Sequence, residues 1–143
     1  MESEDDEYIS GNGDADSFSL YNLHEMKIDK EIADRGYEYY LADRVRYISL
    51  DGIKGYAVVE GSEAYEVEFI YENKKISNLI CNCFCSSRCK HEFAVMLQLR
   101  EILDWIEEYC CEEYKKSGYF AAISKETLYD FTLKRQKTGS ILL

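Results

Sequence analysis

The chain has 143 residues, a formal net charge of −11 at neutral pH, 13 tyrosines, six cysteines and no proline. That length suits one domain of ordinary size, and no apolar run approaches the roughly 20 residues that span a bilayer. The acidic N-terminus is not that of a signal or transit peptide, so a cytoplasmic chain is expected, in which six cysteines point to metal binding before disulfides.

The charge is uneven. Residues 1–16 hold seven acidic side chains and no basic one, and removing their −7 from the total of −11 leaves −4 for the rest. Nucleic-acid binding draws most of its affinity from Lys and Arg on phosphates. The module as a whole lacks that footprint, so any such contact needs a local patch or a neighbouring domain.

Residues 1–18 are polar and acidic and are expected to be a flexible, solvated tail. Residues 29–42 carry a helical stripe of Ile32, Gly36 and Tyr40 flanked by Tyr37 and Leu41, with Asp29 as N-cap. Gly36 would let another backbone approach closely. Strands follow at 44–50 and 53–60 around Asp51-Gly52, a hairpin signal. Residues 64–71 alternate strictly, with Tyr65, Val67, Phe69 and Tyr71 on one face and Glu66 and Glu68 on the other. A polar turn at Asn73-Lys74-Lys75 leads to a fourth strand at 76–83. Short connections favour an antiparallel meander.

A long helix is expected over 90–115. Val95, Leu99, Ile102, Ile106 and Tyr109 form its apolar stripe, widened by Met96, Leu103 and Cys110. Gln98, Glu101, Glu108 and Glu112 lie opposite. Ser117-Gly118 ends it. Ser124 caps a short helix to about Arg135, and Ile141-Leu142-Leu143 reads as the opening of a strand, as in a piece of a longer protein. The fold class is α+β: a helix, a meander of about four strands, a metal knuckle, and a long helix packed on the sheet. Residues 1–18 are the tail, 19–116 the metal-binding domain, and 117–143 a helix and linker toward a further domain.

The informative stretch runs from Cys81 to His91. Alternation puts the sulfurs of Cys81 and Cys83 on one side of a strand end. Five residues later Cys89 and His91 stand at the mouth of the helix. Three thiolates and one imidazole make a closed tetrahedral shell, the usual form of a structural zinc site, with no position left for a reactive water. One Zn2+ is the expected cofactor. A rival shell uses Cys83, Cys85, Cys89 and His91, with Cys81 as a core residue.

The Cys-x-Cys, five residues, Cys-x-His pattern resembles the SWIM zinc finger. Cys89-Lys90-His91 followed by Ala94-Val95-Met96-Leu97 is similar to it. So is the upstream Arg35-Gly36-Tyr37 with Tyr40 and Arg44-Val45, which resembles the region before this finger in bacterial members. The resemblance covers roughly residues 30–100. It departs in the loop, Phe84-Cys85-Ser86-Ser87-Arg88, where Pro and a Gly-bearing segment are frequent. Such fingers occur in bacterial SWI/SNF-type helicases and plant Mutator-type transposases as modules that bind DNA or protein. The resemblance therefore implies Cys81, Cys83, Cys89 and His91 as ligands, and an accessory part of a larger helicase.

Other candidates have plainer readings. His24 suits a surface or capping role. Cys110 and Cys111 suit packing better than a redox pair. Tyr37, Tyr39, Tyr40, Tyr47, Tyr56, Tyr65 and Tyr71 fit core or half-buried positions with satisfied hydroxyls. Arg88, Lys90 and Arg100 form the one locally basic zone and are the candidate nucleic-acid contacts. The chain has no Gly-x-x-x-x-Gly-Lys-Ser/Thr loop, so no enzyme is expected here, and any ATPase would belong to another part of the same polypeptide. The expected partner is DNA or a protein, with no membrane and no small-molecule substrate. The alternatives are a protein-interaction scaffold without nucleic-acid contact and a thiol redox sensor.

Overall fold

The computed structural model describes residues 17–83 and 88–123. The acidic run before Ser17, the loop residue Cys85, the helix expected from Ser124 and the apolar stretch at 141–143 lie outside them.

The chain forms a strand β1 (Phe18–Ser19), a 3-10 turn (Leu23–Met26), helix α1 (Lys30–Leu41), strands β2 (Val45–Asp51), β3 (Lys54–Glu60), β4 (Ala64–Glu72) and β5 (Lys75–Cys81), helices α2 (Lys90–Tyr109) and α3 (Cys111–Ser117), and strand β6 (Tyr119–Ala122). No described helix is long and apolar enough to cross a membrane. The expected α+β class and its four-strand antiparallel meander, β2 to β5, are present, and two further strands widen it to a six-stranded sheet ordered β1-β5-β4-β3-β2-β6: Phe18 of β1, within the stretch expected as tail, pairs with Ile76, and β6, within the stretch expected as helix and linker, pairs with β2. Turns of two or three residues make the meander possible. Asn73 and Lys74 both take left-handed backbone, with φ of 55° and 65°, as a type I′ hairpin turn requires. The β2–β3 turn lies one residue beyond the expected position: Asp51 pairs with Lys54, and Gly52, at φ 65°, begins the link.

One face of the sheet buries Ile48, Leu50, Ala57, Val59, Val67 and Phe69. Against them α2 sets Val95, Met96, Leu99, Ile102 and Ile106, the expected stripe except for Tyr109, which is 63% exposed at the helix end. Burying each such side chain fully is worth about 1.5–3 kcal/mol before the entropy of ordering it. The other face carries Glu66 and Glu68, both exposed.

Three further details differ from the expectation. The long helix stops at Tyr109 instead of 115. Cys110 leaves helical geometry at φ −136°, and α3 then brings Tyr114 to within 6.2 Å of Phe120 in β6. Second, Gln98 is 1% exposed although read as part of a polar side. Helix α1 lies along α2, and Tyr40 donates a 2.7 Å hydrogen bond to Glu101 on that side, so less of α2 meets water than a sheet-packed helix would show. Third, Tyr37 and Leu41, expected beside the apolar stripe of α1, are 51% and 56% exposed, whereas the other tyrosines expected in core or half-buried positions are half-buried. The α1–α2 crossing is close because position 36 has no side chain. A Cβ there would stand 2.8 Å from the Phe93 Cβ and 2.9 Å from the Lys90 carbonyl oxygen.

Candidate metal centre

Four side chains converge where β5 ends and α2 begins. The sulfurs of Cys81, Cys83 and Cys89 and a ring nitrogen of His91 all lie within 4.8 Å of one another, a group that could hold a metal ion. The Nδ1 atom of His91 faces the sulfurs, 3.6 Å from Cys81 and 3.8 Å from Cys89.

Cys81 reaches this point through an irregularity in β5. Ser77 pairs with Ile70 and Ile80 with Glu68, so β5 has one more residue between these pairs than β4. Asn78 sits in that extra length at φ 52°, a left-handed conformation Asn tolerates well. An extra residue reverses which face later side chains meet. Ile76 and Leu79 are therefore both buried, whereas Ile80 is 61% exposed. Cys81, next in the alternation, turns back toward α2. The strand ends there, and Cys83 stands just beyond it.

The other half of the group is built by a helix N-terminus. Cys89 is the N-cap of α2, in extended backbone, and forms a capping box with Glu92. The Cys89 amide donates to the Glu92 carboxylate at 3.2 Å, and the Glu92 amide donates to the sulfur. A sulfur here receives a helix-terminal N–H and the positive end of the helix dipole, both of which favour a thiolate. His91 follows two residues on, inside the first turn.

The ring of His91 is set by aromatic packing. Tyr65 stacks on it, with centroids 4.3 Å apart and planes inclined by 20°. Tyr39 meets it edge-on at 5.5 Å. The backbone at Gly61 closes over the same place: a Cβ there would lie 3.1 Å from the Tyr39 hydroxyl and 3.5 Å from His91 Nε2. His91 is 4% exposed, and its Nε2 has no hydrogen-bond partner among the described residues. Ligating histidines generally donate their second N–H to an acceptor, so here packing takes over the orienting role. Sequence periodicity placed Tyr65 on the inward face but gave no sign that it would cover the histidine.

Burial, helped by the Lys90 charge, lowers the His91 pKa to about 4 in the metal-free protein. The imidazole is thus neutral, as a ligand must be. The Cys81 thiol beside it, together with burial, pushes the Cys89 thiol well above its ordinary range. The Cys89 thiol therefore keeps its proton until a cation replaces it. Burial likewise raises the Glu92 carboxyl, opposed by the Cys89 amide and Arg88.

The three cations singled out from the sequence do not form one surface. Arg88 is turned inward: it donates to the Leu79 carbonyl at 3.3 Å, approaches Glu92 at 3.8 Å and lies over the Phe18 ring. Arg100 is about 15 Å along the helix from Lys90 and lines a groove with Leu23, His24 and Phe93. Lys90 instead lies over the Tyr39 ring at 5.7 Å, as Arg44 does at 5.4 Å. Cys85 lies outside the described residues. Cys110 and Tyr114 pack against the core from its margin, in keeping with the plainer reading of Cys110.

No family model matches the chain, and neither a curated protein nor a solved structure matches it.

Proposed function

We propose that the chain is a structural-zinc module of SWIM type that acts by binding a partner, as an accessory part of a larger nucleic-acid-remodelling protein such as a helicase. The observation that carries the zinc reading is the geometry of the donors. Zinc bonds of about 2.3 Å to sulfur and about 2.0–2.1 Å to nitrogen put the sulfur–nitrogen edge of a tetrahedron near 3.6 Å. The Nδ1 atom stands 3.6 and 3.8 Å from two sulfurs. Three soft thiolates with one imidazole favour zinc over magnesium or calcium. With four protein donors the shell is complete, so the ion's work is to tie β5 to α2, and no residue has a catalytic role. Cys81, Cys83, Cys89 and His91 would hold the ion. The Cys89–Glu92 cap and the Tyr65 ring would keep two of them in place.

Metal analysis of the purified chain and its Cys→Ser variants tests this. Near-equal zinc and protein is expected, lost in Cys89→Ser and Cys81→Ser and kept in Cys85→Ser. Full retention in Cys81→Ser with loss in Cys85→Ser would instead establish the rival shell.

Between the two partner classes, the acidic balance and the inward engagement of Arg88 favour a protein. Lys90 and Arg44 on Tyr39 support a second reading, in which this corner touches phosphates. Binding of a DNA duplex that weakens steeply with salt, and that falls in Lys90→Ala, would support it. An isolated domain with no affinity even at low salt would not touch DNA directly.

A further inference from the structure

The sheet face turned away from α2 carries an aromatic and acidic surface. Tyr56 lies opposite Glu68 across the β3–β4 ladder, and Val58 lies opposite Glu66. Tyr47 stands 6.0 Å from Tyr56, ring to ring, and Tyr56 donates a 3.1 Å hydrogen bond to Glu66. Of the cations on this side, Arg46 is 3.8 Å from Glu60 and Lys54 stands opposite Asp51. Glu66 and Glu68 make no ion pair among the described residues, although they share one side of a central strand and repel each other. They recur about 7 Å apart, two residues along an extended strand. Beside them, tyrosine rings offer faces that attract cations.

We propose that this face docks an extended basic segment of a partner protein, with Lys or Arg at alternate positions. Alternate side chains of an extended segment project to one side at the same spacing of about 7 Å as Glu66 and Glu68. Each cation then meets a carboxylate and the edge of the tyrosine cluster. Nucleic acid carries the wrong charge for this surface. The inference rests on the reading of the chain as a binding module and names its partner by charge and conformation.

The test is a titration of the zinc-loaded chain, followed by amide NMR, with a short synthetic peptide of alternating lysine and serine. Saturable shifts are expected at the amides of Tyr47, Tyr56, Val58, Glu66 and Glu68. The double variant Glu66→Gln, Glu68→Gln should bind about ten-fold more weakly, in line with two exposed charge pairs. A peptide of alternating glutamate and serine should produce no shifts. Absence of saturable shifts at low salt, shifts confined to the first turn of α2, or unchanged affinity in the double variant would overturn the proposal. Zinc content measured on the same sample keeps the two readings apart: a folded, zinc-loaded chain that ignores the peptide defeats this inference and leaves the zinc module standing.

Discussion

Between pH 6.5 and about 4, an unfolded chain takes up a proton at its histidine that the folded, metal-free protein refuses at His91, because the ring is buried. The folded pKa lies below the unfolded one. Stability is therefore fully present above pH 6.5 and is lost as the pH falls toward 4, by on the order of 3 kcal/mol. Urea midpoints measured with chelator present should fall across that window, and His91→Gln should flatten this part of the slope. An identical slope in the variant would refute the assignment. With metal bound, acid acts through the thiolates, which exchange the ion for protons. Tyr65→Ala removes the stacked ring and should weaken metal binding about ten-fold, as losses around a ligand typically do. Tyr65→Phe keeps the stack and should bind as the wild type does, measured by competition with a chromophoric chelator. The four donors were legible in the sequence because they lie within eleven positions and their spacing is set locally. The two tyrosines were not, because they come from α1 and β4 and meet the ring only through tertiary packing.

Two elements meet at Gly36, where a methyl group would stand 2.8 Å from Phe93 and 2.9 Å from the Lys90 carbonyl. Gly36→Ala gains helix propensity of about 1 kcal/mol but overpacks a close crossing, which costs about 1–3 kcal/mol. A net loss of about 1 kcal/mol is expected, read as a lower urea midpoint with an unchanged slope. A stabilised variant would show that the crossing is looser than described. At the other end of the site, Asn78 holds a left-handed turn in β5. Asn78→Val should cost about 1–2 kcal/mol and lower metal affinity with it, whereas Asn78→Gly should retain both. Deleting Asn78 would return Cys81 to the face of Ile80 and should abolish metal binding. The sequence carried a trace of this bulge: Ile76, Leu79 and Ile80 break the alternation that an unbroken strand would show. Helix α1, the central strands and the apolar stripe of α2 were legible because each repeats its period several times. Strands β1 and β6 have two and four residues, too few for a period to register, and the break at Cys110 falls within an unbroken helical pattern.

At the scale of the whole molecule, the metal group sits at one end of a sheet whose own core does not depend on it. Phe18, Leu20 and Phe120 complete that core from the two ends of the described chain, each at most 1% exposed. Metal removal should therefore speed amide exchange at the end of β5 and at the Cys89 cap, with His91 still packed under Tyr65, while β2, β3 and β4 stay protected, which amide hydrogen exchange with and without chelator would resolve. A globally unfolded metal-free chain would contradict that division. The net charge was readable from composition, but its placement was not. It took the register of β3 and β4 to set Glu66 and Glu68 beside Tyr56, and the fold to turn Arg88 inward.

X-ray absorption at the zinc edge of the purified chain reads out whether three sulfurs and one nitrogen hold the ion. The expected shell has three sulfur neighbours at about 2.3 Å and one nitrogen at about 2.0–2.1 Å. A shell that includes water or carboxylate oxygen, two sulfurs in place of three, or no zinc edge at all would contradict it.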